Sequence, residues 1–178
     1  MELVILHTND VHGRYEDFAR LVPLIRRVQR EEEARGRAVV TLDGGDFMDF
    51  TRLDLLGTEG REGAGLLRAA GYDAMAVGNN EGFQGLRLLS QAAAFGRGQA
   101  PALLSCNLRA IDGAALRPIP AVRGSIVLEK AGLRILVVGA TPAFNEFFAL
   151  LQLHALPAHA AVLAEIAAEA PADCTLVL

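Results

Sequence analysis

Cysteine is scarce in this chain of 178 residues, where Cys106 and Cys174 are the only two. They lie far apart and each sits in an apolar segment, so we expect reduced thiols in the core, and nothing in the pattern requires a disulfide. No apolar stretch approaches the roughly 20 residues that span a bilayer, and the N-terminus lacks the basic and apolar regions of a secretory signal. These absences predict a soluble, cytoplasmic protein without a membrane partner.

Lysine is also rare, since Lys130 is the only one and arginine supplies the remaining positive charge. The formal net charge is −4, which argues against a nucleic-acid polymer as the partner, because such partners select basic surfaces. Hydrophobic residues make up 52% of the chain. That share and the length predict one domain with a substantial core.

Several nucleotide and nucleophile motifs are missing. The sequence contains neither a G-x-x-x-x-G-K-[ST] phosphate loop nor a G-x-S-x-G elbow. The glycine-rich stretch 57–65 lacks the G-x-G-x-x-G spacing and does not directly follow an apolar run. These absences disfavour P-loop nucleotide hydrolases and α/β-hydrolase esterases.

Apolar runs alternate with helical patterns through the first 106 residues. This alternation predicts βαβ units and a largely parallel sheet. The predicted strands are 3–8, 38–42, 73–78 and 102–106, and the predicted helices are 18–36, with Pro23 near its first turn, 62–71 and 86–96. The rest of the chain predicts a loose polar excursion at 107–121, a hairpin of 125–129 with 133–140, a helix at 159–170 and a strand at 174–178.

Polar side chains follow three successive predicted strands. Asp10 and His12 come after the first strand, Asp46 after the second and Asn79 after the third. Because the carboxyl ends of parallel strands share one edge of a sheet, we expect these four side chains to converge there. Carboxylate, amide and imidazole ligands suit divalent first-row metals, and Asp46 is placed between the other two loops, where it could bridge two ions. Taken singly, Asp46 also fits a turn or helix cap, and Asn79 fits a left-handed turn.

Three segments, "ILHTNDVHG", "LDGGDFMD" and "AMAVGNNEGF", resemble successive blocks of the calcineurin-like metallophosphoesterase superfamily, D-x-H, G-D-x-x-[DN] and G-N-H-[DE]. The surrounding sequence is most similar to the bacterial 5′-nucleotidase branch. The resemblance implies an α/β fold, an αββα sandwich with mixed sheets, in which residues 1–178 form the N-terminal part of a catalytic domain that is incomplete at its C-terminus.

The same resemblance implies a chemistry. Asp10 and His12 would bind a first metal, Asp46 would bridge and Asn79 would bind the second, the two divalent ions being Mn, Fe, Zn or Co. The implied reaction is hydrolysis of a small-molecule phosphate ester or nucleotide by a metal-activated hydroxide, which would serve nucleotide catabolism. Arg14 is a candidate for contacting the negative charge of the substrate.

One departure from the family pattern concerns Asn80, where the family usually has histidine. We expect Asn80 to bind the substrate and act in catalysis by orienting its phosphate. An amide cannot transfer a proton at neutral pH, and losing a general acid costs on the order of 10²–10⁴ in rate. The neighbouring Glu81 keeps an acidic position of the family and is expected to support the loop.

A second departure is that the later histidine blocks of the family are not found. His154 and His159 do not replace them and are expected to be surface or helix-start residues, and His7 to pack or support the site. The sequence therefore resembles the front portion of a longer phosphoesterase, present as a truncated form, a cleavage product or a naturally short protein. This portion alone offers about half of the metal ligands, and we expect it to be inactive by itself. Two alternatives are a non-catalytic or weakly active domain that binds metal or nucleotide, and a fragment that self-associates through its exposed last strand.

Overall fold

The structure, a computed structural model, describes residues 2–49, 51, 53–58, 60–87, 89 and 101–178, with the backbone alone for 54–56. The elements follow in chain order: β1 (Leu3–Thr8), α1 (Tyr15–Ala34), β2 (Ala38–Asp43), α2 (Leu53–Thr58), α3 (Arg61–Ala70), β3 (Ala74–Ala76), α4 (Asn79–Phe83), β4 (Ala102–Leu104), β5 (Leu108–Asp112), β6 (Ala115–Arg117), β7 (Ser125–Lys130), β8 (Leu133–Val138), α5 (Asn145–Phe148), a 3₁₀ turn (Ala149–Leu151), β9 (Leu153–Ala155), α6 (Ala158–Ala168) and β10 (Cys174–Val177).

The first sheet has the order β1-β2-β3-β4, and every neighbouring pair is parallel. The predicted parallel sheet is confirmed. Its register sets Thr8, the last residue of β1, opposite Asp43, the last residue of β2. Strands β1 and β2 therefore end at the same level of the sheet, which brings the loops that follow them together.

Helix α1 begins earlier than the sequence pattern predicts. It starts at Tyr15, so Pro23 lies inside the helix, and its prediction near the first turn is wrong. Glu16 and Asp17 occupy the first turn, where acidic side chains complement the positive end of the helix dipole. Helix α3 ends as predicted at Gly71, which has the left-handed φ of 79°. Of the predicted helix 86–96, residues 86, 87 and 89 are helical and the rest lies outside the described residues.

The second sheet has the order β10-β8-β7. The predicted hairpin is confirmed: β7 and β8 are antiparallel, and their two-residue turn has positive φ at both Ala131 and Gly132, the turn that matches strand twist. The predicted last strand is also present as β10, which runs parallel to β8.

The stretch 107–121 is not a loose excursion, so that prediction is wrong. Strands β5 and β6 form a hairpin, and β9 pairs antiparallel with β5 to complete a third sheet. Leu108 and Ala110 are buried while the turn passes through Gly113 at a φ of 61°. Two buried positions were too few to show a strand period in the sequence.

Three apolar layers join these elements. Phe18 of α1 and Leu67 of α3 pack on one face of the first sheet. The other face packs against the second sheet, with Val40, Leu42 and Leu104 meeting Ile135 and Val137. Helix α6 covers the far face of the second sheet through Val162 and Ile166. The result is the expected αββα sandwich.

Among the described helices, none is both long and apolar enough to cross a membrane.

Candidate metal centre

The loops that leave β1 and β2 are joined by backbone hydrogen bonds. The N–H groups of Asp10, His12 and Gly13 donate to the carbonyls of Gly45, Asp46 and Phe47, at 3.1, 2.9 and 2.9 Å. These bonds join the two loops beyond the ends of the strands. They bring Asp10 and His12 close to Asp46 at the carboxyl edge of the first sheet, which we call the rim.

The backbone is strained at these three positions. Asp10, His12 and Asp46 have φ of 55°, 50° and 54°, in the left-handed region that non-glycine residues rarely occupy. Each such residue costs on the order of 1–3 kcal/mol, and this strain is concentrated at functional sites. The surrounding hydrogen bonds hold the three side chains toward one point.

The side chains of Asp10, His12 and Asp46 each offer a ligand atom, and these atoms all lie within 4.8 Å of one another. His12 Nε2 is 3.5 Å from Asp10 Oδ1. Two donors that each sit about 2.0–2.2 Å from one ion are separated by no more than roughly 4.4 Å. The set therefore fits a divalent cation after small side-chain movements, and Asp10 and His12 remain 61% and 45% exposed to admit it.

Two glycines allow the third loop to approach. Gly45 has a φ of 103°, and a Cβ there would lie 2.8 Å from the backbone nitrogen of Gly78. A Cβ on Gly78 would overlap the Oδ1 and backbone nitrogen of Asp46. The loop after β3 thus presses its backbone directly against the Asp46 turn.

Asn79 faces Asp46. With its NH₂ group toward Asp46, it donates to Oδ2 at 3.0 Å, and its oxygen accepts from the N–H of Asn80 at 3.2 Å. With the amide reversed, an oxygen meets Asp46 Oδ2 at the same distance, which a shared cation would stabilise. Asn79 therefore joins the Asp10–His12–Asp46 group.

Asn80 is buried, with 7% of its surface exposed. Its backbone N–H donates to Asp46 Oδ1 at 2.8 Å, and its side-chain Nδ2 lies 3.0 Å from His12 Nδ1. The side chain is thus directed to His12. Substrate contact by Asn80 stays a prediction.

Glu81 ties the second and third loops together. It is 1% exposed, its Oε2 accepts from the N–H of Asp46 and Gly78, and its Oε1 accepts from the N–H of Met48, at 2.9–3.0 Å. Burial raises the pKa of Glu81 to about 7, with Asp46 adding charge repulsion, while the three N–H donors favour the ionised form. The predicted supporting role is confirmed.

Beneath the rim lies a buried polar chain. Thr8 Oγ1 donates to Asp43 Oδ2 at 2.6 Å and lies 2.9 Å from the Tyr72 hydroxyl, and Asp43 Oδ1 accepts from the N–H of Gly45 at 3.0 Å. Burial raises the pKa of Asp43 to about 6, and the charges of Asp10 and Asp46 raise it further. Asp43 anchors the start of the Asp46 turn.

Sequence reasoning missed Thr8 and Tyr72. Thr8 could have been found from the parallel register, because it ends β1 where Asp43 ends β2. No signal in the sequence points to Tyr72, which reaches the chain from the turn after α3.

Arg14 braces the first loop. Its guanidinium donates to the carbonyls of Val11 and Asp10 at 3.2 and 3.3 Å, and its contact with a substrate stays a prediction. His7 is exposed and lines a cleft with Asn9 and Leu178. His154 lies in β9 opposite Arg109, not at a helix start, and His159 lies in the first turn of α6.

An αββα sandwich that gathers two carboxylates, an imidazole and an amide at one rim defines a candidate metal-binding protein of the α/β class. Residues 3–154 match the family of calcineurin-like phosphoesterases. The chain belongs to that family.

Similarity to individual proteins covers only part of them. The chain is 31% identical over 140 residues to YunD, an uncharacterized metallophosphoesterase of Bacillus subtilis, covering 79% of this chain and 29% of that protein. It is 34% identical over 151 residues to a 5′-nucleotidase of Diplobatis ommata, covering 79% of this chain and 26% of that protein. The solved 5′-nucleotidase of Candida albicans superposes with a TM-score of 0.76 at 16% identity, covering 99% and 36%. The chain thus spans under two fifths of each, and the last likeness concerns the fold alone.

Proposed function

We propose that this chain carries the metal-binding half of a phosphoesterase centre that hydrolyses small phosphate esters, with nucleotides as the substrate class. Membership of the calcineurin-like phosphoesterase family supports the reaction. Relatives named 5′-nucleotidase support the substrate class. The observation that carries the proposal is the Asp10–His12–Asp46 group within 4.8 Å.

In this proposal Asp10 and His12 would hold one divalent ion, Asn79 would hold a second, and Asp46 would contribute to both. Mn, Fe, Zn and Co all suit these donor types. When bound, such an ion polarises a phosphoryl oxygen and lowers the pKa of water. The chain itself keeps the donors in place through the strained turns and the Glu81 contacts, and Arg14 adds positive charge beside Asp10.

Metal titration tests the ligand assignment. Calorimetry with Mn²⁺ should show binding to the chain, and Asp46→Asn should weaken it at least tenfold because the shared carboxylate is lost. Asp49→Asn is the matched control, since Asp49 lies in the same loop but caps the N–H and hydroxyl of Thr51. Equal affinities for the two variants would refute the assignment.

Hydrolysis tests the reaction. With Mn²⁺, the full product of the reading frame that encodes this chain should hydrolyse p-nitrophenyl phosphate and a nucleoside 5′-monophosphate, and Asp46→Asn should abolish both activities. A metal-loaded protein with no turnover would remove the catalytic claim.

A second candidate function is binding of metal or nucleotide without turnover. Asn80 favours it, because this amide cannot donate a proton to a leaving group. Asn80→His discriminates the two functions: a gain of at least tenfold in turnover of alkyl phosphates would indicate lost general-acid chemistry. No gain, with turnover already present, would support a reaction that uses Asn80.

A further inference from the structure

The imidazole of His12 lies between two polar partners. Its Nε2 faces Asp10 Oδ1 at 3.5 Å, and its Nδ1 faces the side-chain amide of Asn80 at 3.0 Å. Asn80 is held independently of this contact, because its backbone N–H donates to Asp46 Oδ1. The backbone of Asn80 is therefore held in place, and its side-chain amide is directed at His12 Nδ1.

A neutral imidazole carries its proton on one nitrogen and a lone pair on the other. When the NH₂ end of Asn80 faces Nδ1, it donates to the Nδ1 lone pair, so the proton lies on Nε2 and points toward Asp10. A cation held by Nε2 needs the lone pair there. The proton must then lie on Nδ1, which requires an acceptor.

An amide can supply both partners, since its two ends have nearly the same shape but opposite hydrogen-bonding character. Turning the Asn80 amide over places its oxygen at Nδ1 without moving the backbone. An aspartate at this position would only accept, and an apolar residue would do neither.

We propose that Asn80 is a positioning residue for His12, whose NH₂ end holds the Nε2–H tautomer in the metal-free protein and whose oxygen holds the Nδ1–H tautomer that frees Nε2 for a divalent cation. This inference rests on the proposed function for its metal-bound half. The metal-free half stands on the observed contact alone. The role is exerted through His12 and differs from the substrate contact expected from the sequence.

Nuclear magnetic resonance of ¹⁵N- and ¹³C-labelled histidine reads the tautomer directly. The chain has four histidines, and the resonance of His12 is assigned by its loss in His12→Gln. Spectra are recorded in EDTA and with Zn²⁺, which is diamagnetic, and the Zn²⁺ affinity is measured by competition with a chelator. The variants are Asn80→Leu, which keeps the shape, and Asn80→Asp, which keeps the acceptor.

The wild-type protein should show Nε2–H in EDTA and Nδ1–H with Zn²⁺. Asn80→Leu should lose the single Nε2–H tautomer and bind Zn²⁺ about 10–100-fold more weakly, the usual effect of removing the partner of a ligating histidine. Asn80→Asp should show Nδ1–H already in EDTA and bind Zn²⁺ no more weakly than wild type. If Asn80→Leu fails to fold, the tautomer and the Zn²⁺ affinity of Asn80→Asp still test the inference.

Gln84→Leu is the matched control, because Gln84 follows the same helix and its amide contacts Met48 Sδ at 3.5 Å. It should match wild type within twofold. One tautomer in both wild-type spectra, or Asn80→Leu with wild-type tautomer and affinity, would overturn the inference. If wild type binds no Zn²⁺, the proposed function and the metal-bound half fail together, and the EDTA spectra of Asn80→Leu still decide the metal-free half.

Discussion

Asp43 is a buried carboxyl group under the rim, and its titration should destabilise the fold. Its pKa rises from 3.8 to about 6, mainly through burial. A carboxyl whose pKa is raised on folding contributes its stability fully below its unfolded pKa and loses it as the pH rises through the folded value. Ionisation between about pH 4 and pH 6 therefore works against the fold.

Asp43→Asn should remove this pH dependence. Asparagine can accept from the N–H of Gly45 and donate to the Thr8 hydroxyl, so both contacts survive. Relative to wild type, the variant should gain up to about 3 kcal/mol of unfolding free energy between pH 4 and pH 7, from about two pKa units at 1.36 kcal/mol each. Urea unfolding in EDTA at each pH measures it, and parallel curves for the two proteins would contradict it.

The carboxylate of Glu81 accepts three hydrogen bonds from backbone N–H groups. Glu81→Gln leaves one amide NH₂ facing backbone N–H donors, so at least one buried donor loses its partner. We expect a loss of about 1–3 kcal/mol and weaker Mn²⁺ binding, measured by urea unfolding at pH 8 and by calorimetry. Glu33→Gln, at an exposed position of α1, should change stability by less than about 0.5 kcal/mol. Equal effects of the two substitutions would show that the Glu81 contacts are dispensable.

At the scale of elements, the approach of the β3–α4 loop to the Asp46 turn depends on Gly78. Gly78→Ala should force the two loops apart, because the added Cβ overlaps Asp46. We expect a loss of at least about 2 kcal/mol, as for other overpacked positions, and weaker metal binding. Thermal unfolding and Mn²⁺ titration measure both effects.

Gly65→Ala is the control for that substitution. Gly65 lies inside α3, and a Cβ there would meet nothing within 4 Å. Alanine at such a position should stabilise the protein by about 0.4–1 kcal/mol. If Gly78→Ala were as neutral as Gly65→Ala, the close packing of the two loops would not be needed.

The elements also show where sequence patterns suffice. Strands β1 and β2 are continuous apolar runs, and both were predicted within one residue of their ends. The β5–β6 hairpin was missed because it is short and gains its pairing from β9, more than 40 residues later. The start of α1 was missed because Tyr15 is buried against Phe47, a contact invisible in the local pattern.

At the scale of the whole molecule, two sheets have edge strands without a second neighbour among the described residues. Strand β1 borders the first sheet and β10 the second; Ile5 and Val177 are 45% and 53% exposed. Between these edges lies a cleft of about 520 Å³ lined by Ile5, Leu42 and Leu176 among others. Unpaired backbone groups on such edges can pair with another chain. The predicted self-association through the last strand stays a prediction.

Light scattering across a dilution series under reducing conditions tests the predicted self-association. The apparent mass should fall on dilution for wild type, and Val177→Lys should be monomeric throughout because charge on an edge strand blocks pairing. Leu163→Lys, on the exposed side of α6, is the control and should behave as wild type. A wild-type protein that is monomeric at every concentration would end this reading.

The sequence by itself determined the alternation of strands and helices and the rim at which Asp10, His12, Asp46 and Asn79 meet, because strands that alternate with helices run parallel and end at one edge of the sheet. Only the tertiary structure decided what surrounds those side chains. The turn of Asn80 toward His12, the contacts of Glu81 with the N–H groups of Asp46 and Met48, and the contacts of Thr8 with Asp43 and Tyr72 all join residues 33 or more apart in the chain. Such contacts are set by how the loops pack, which no local pattern encodes.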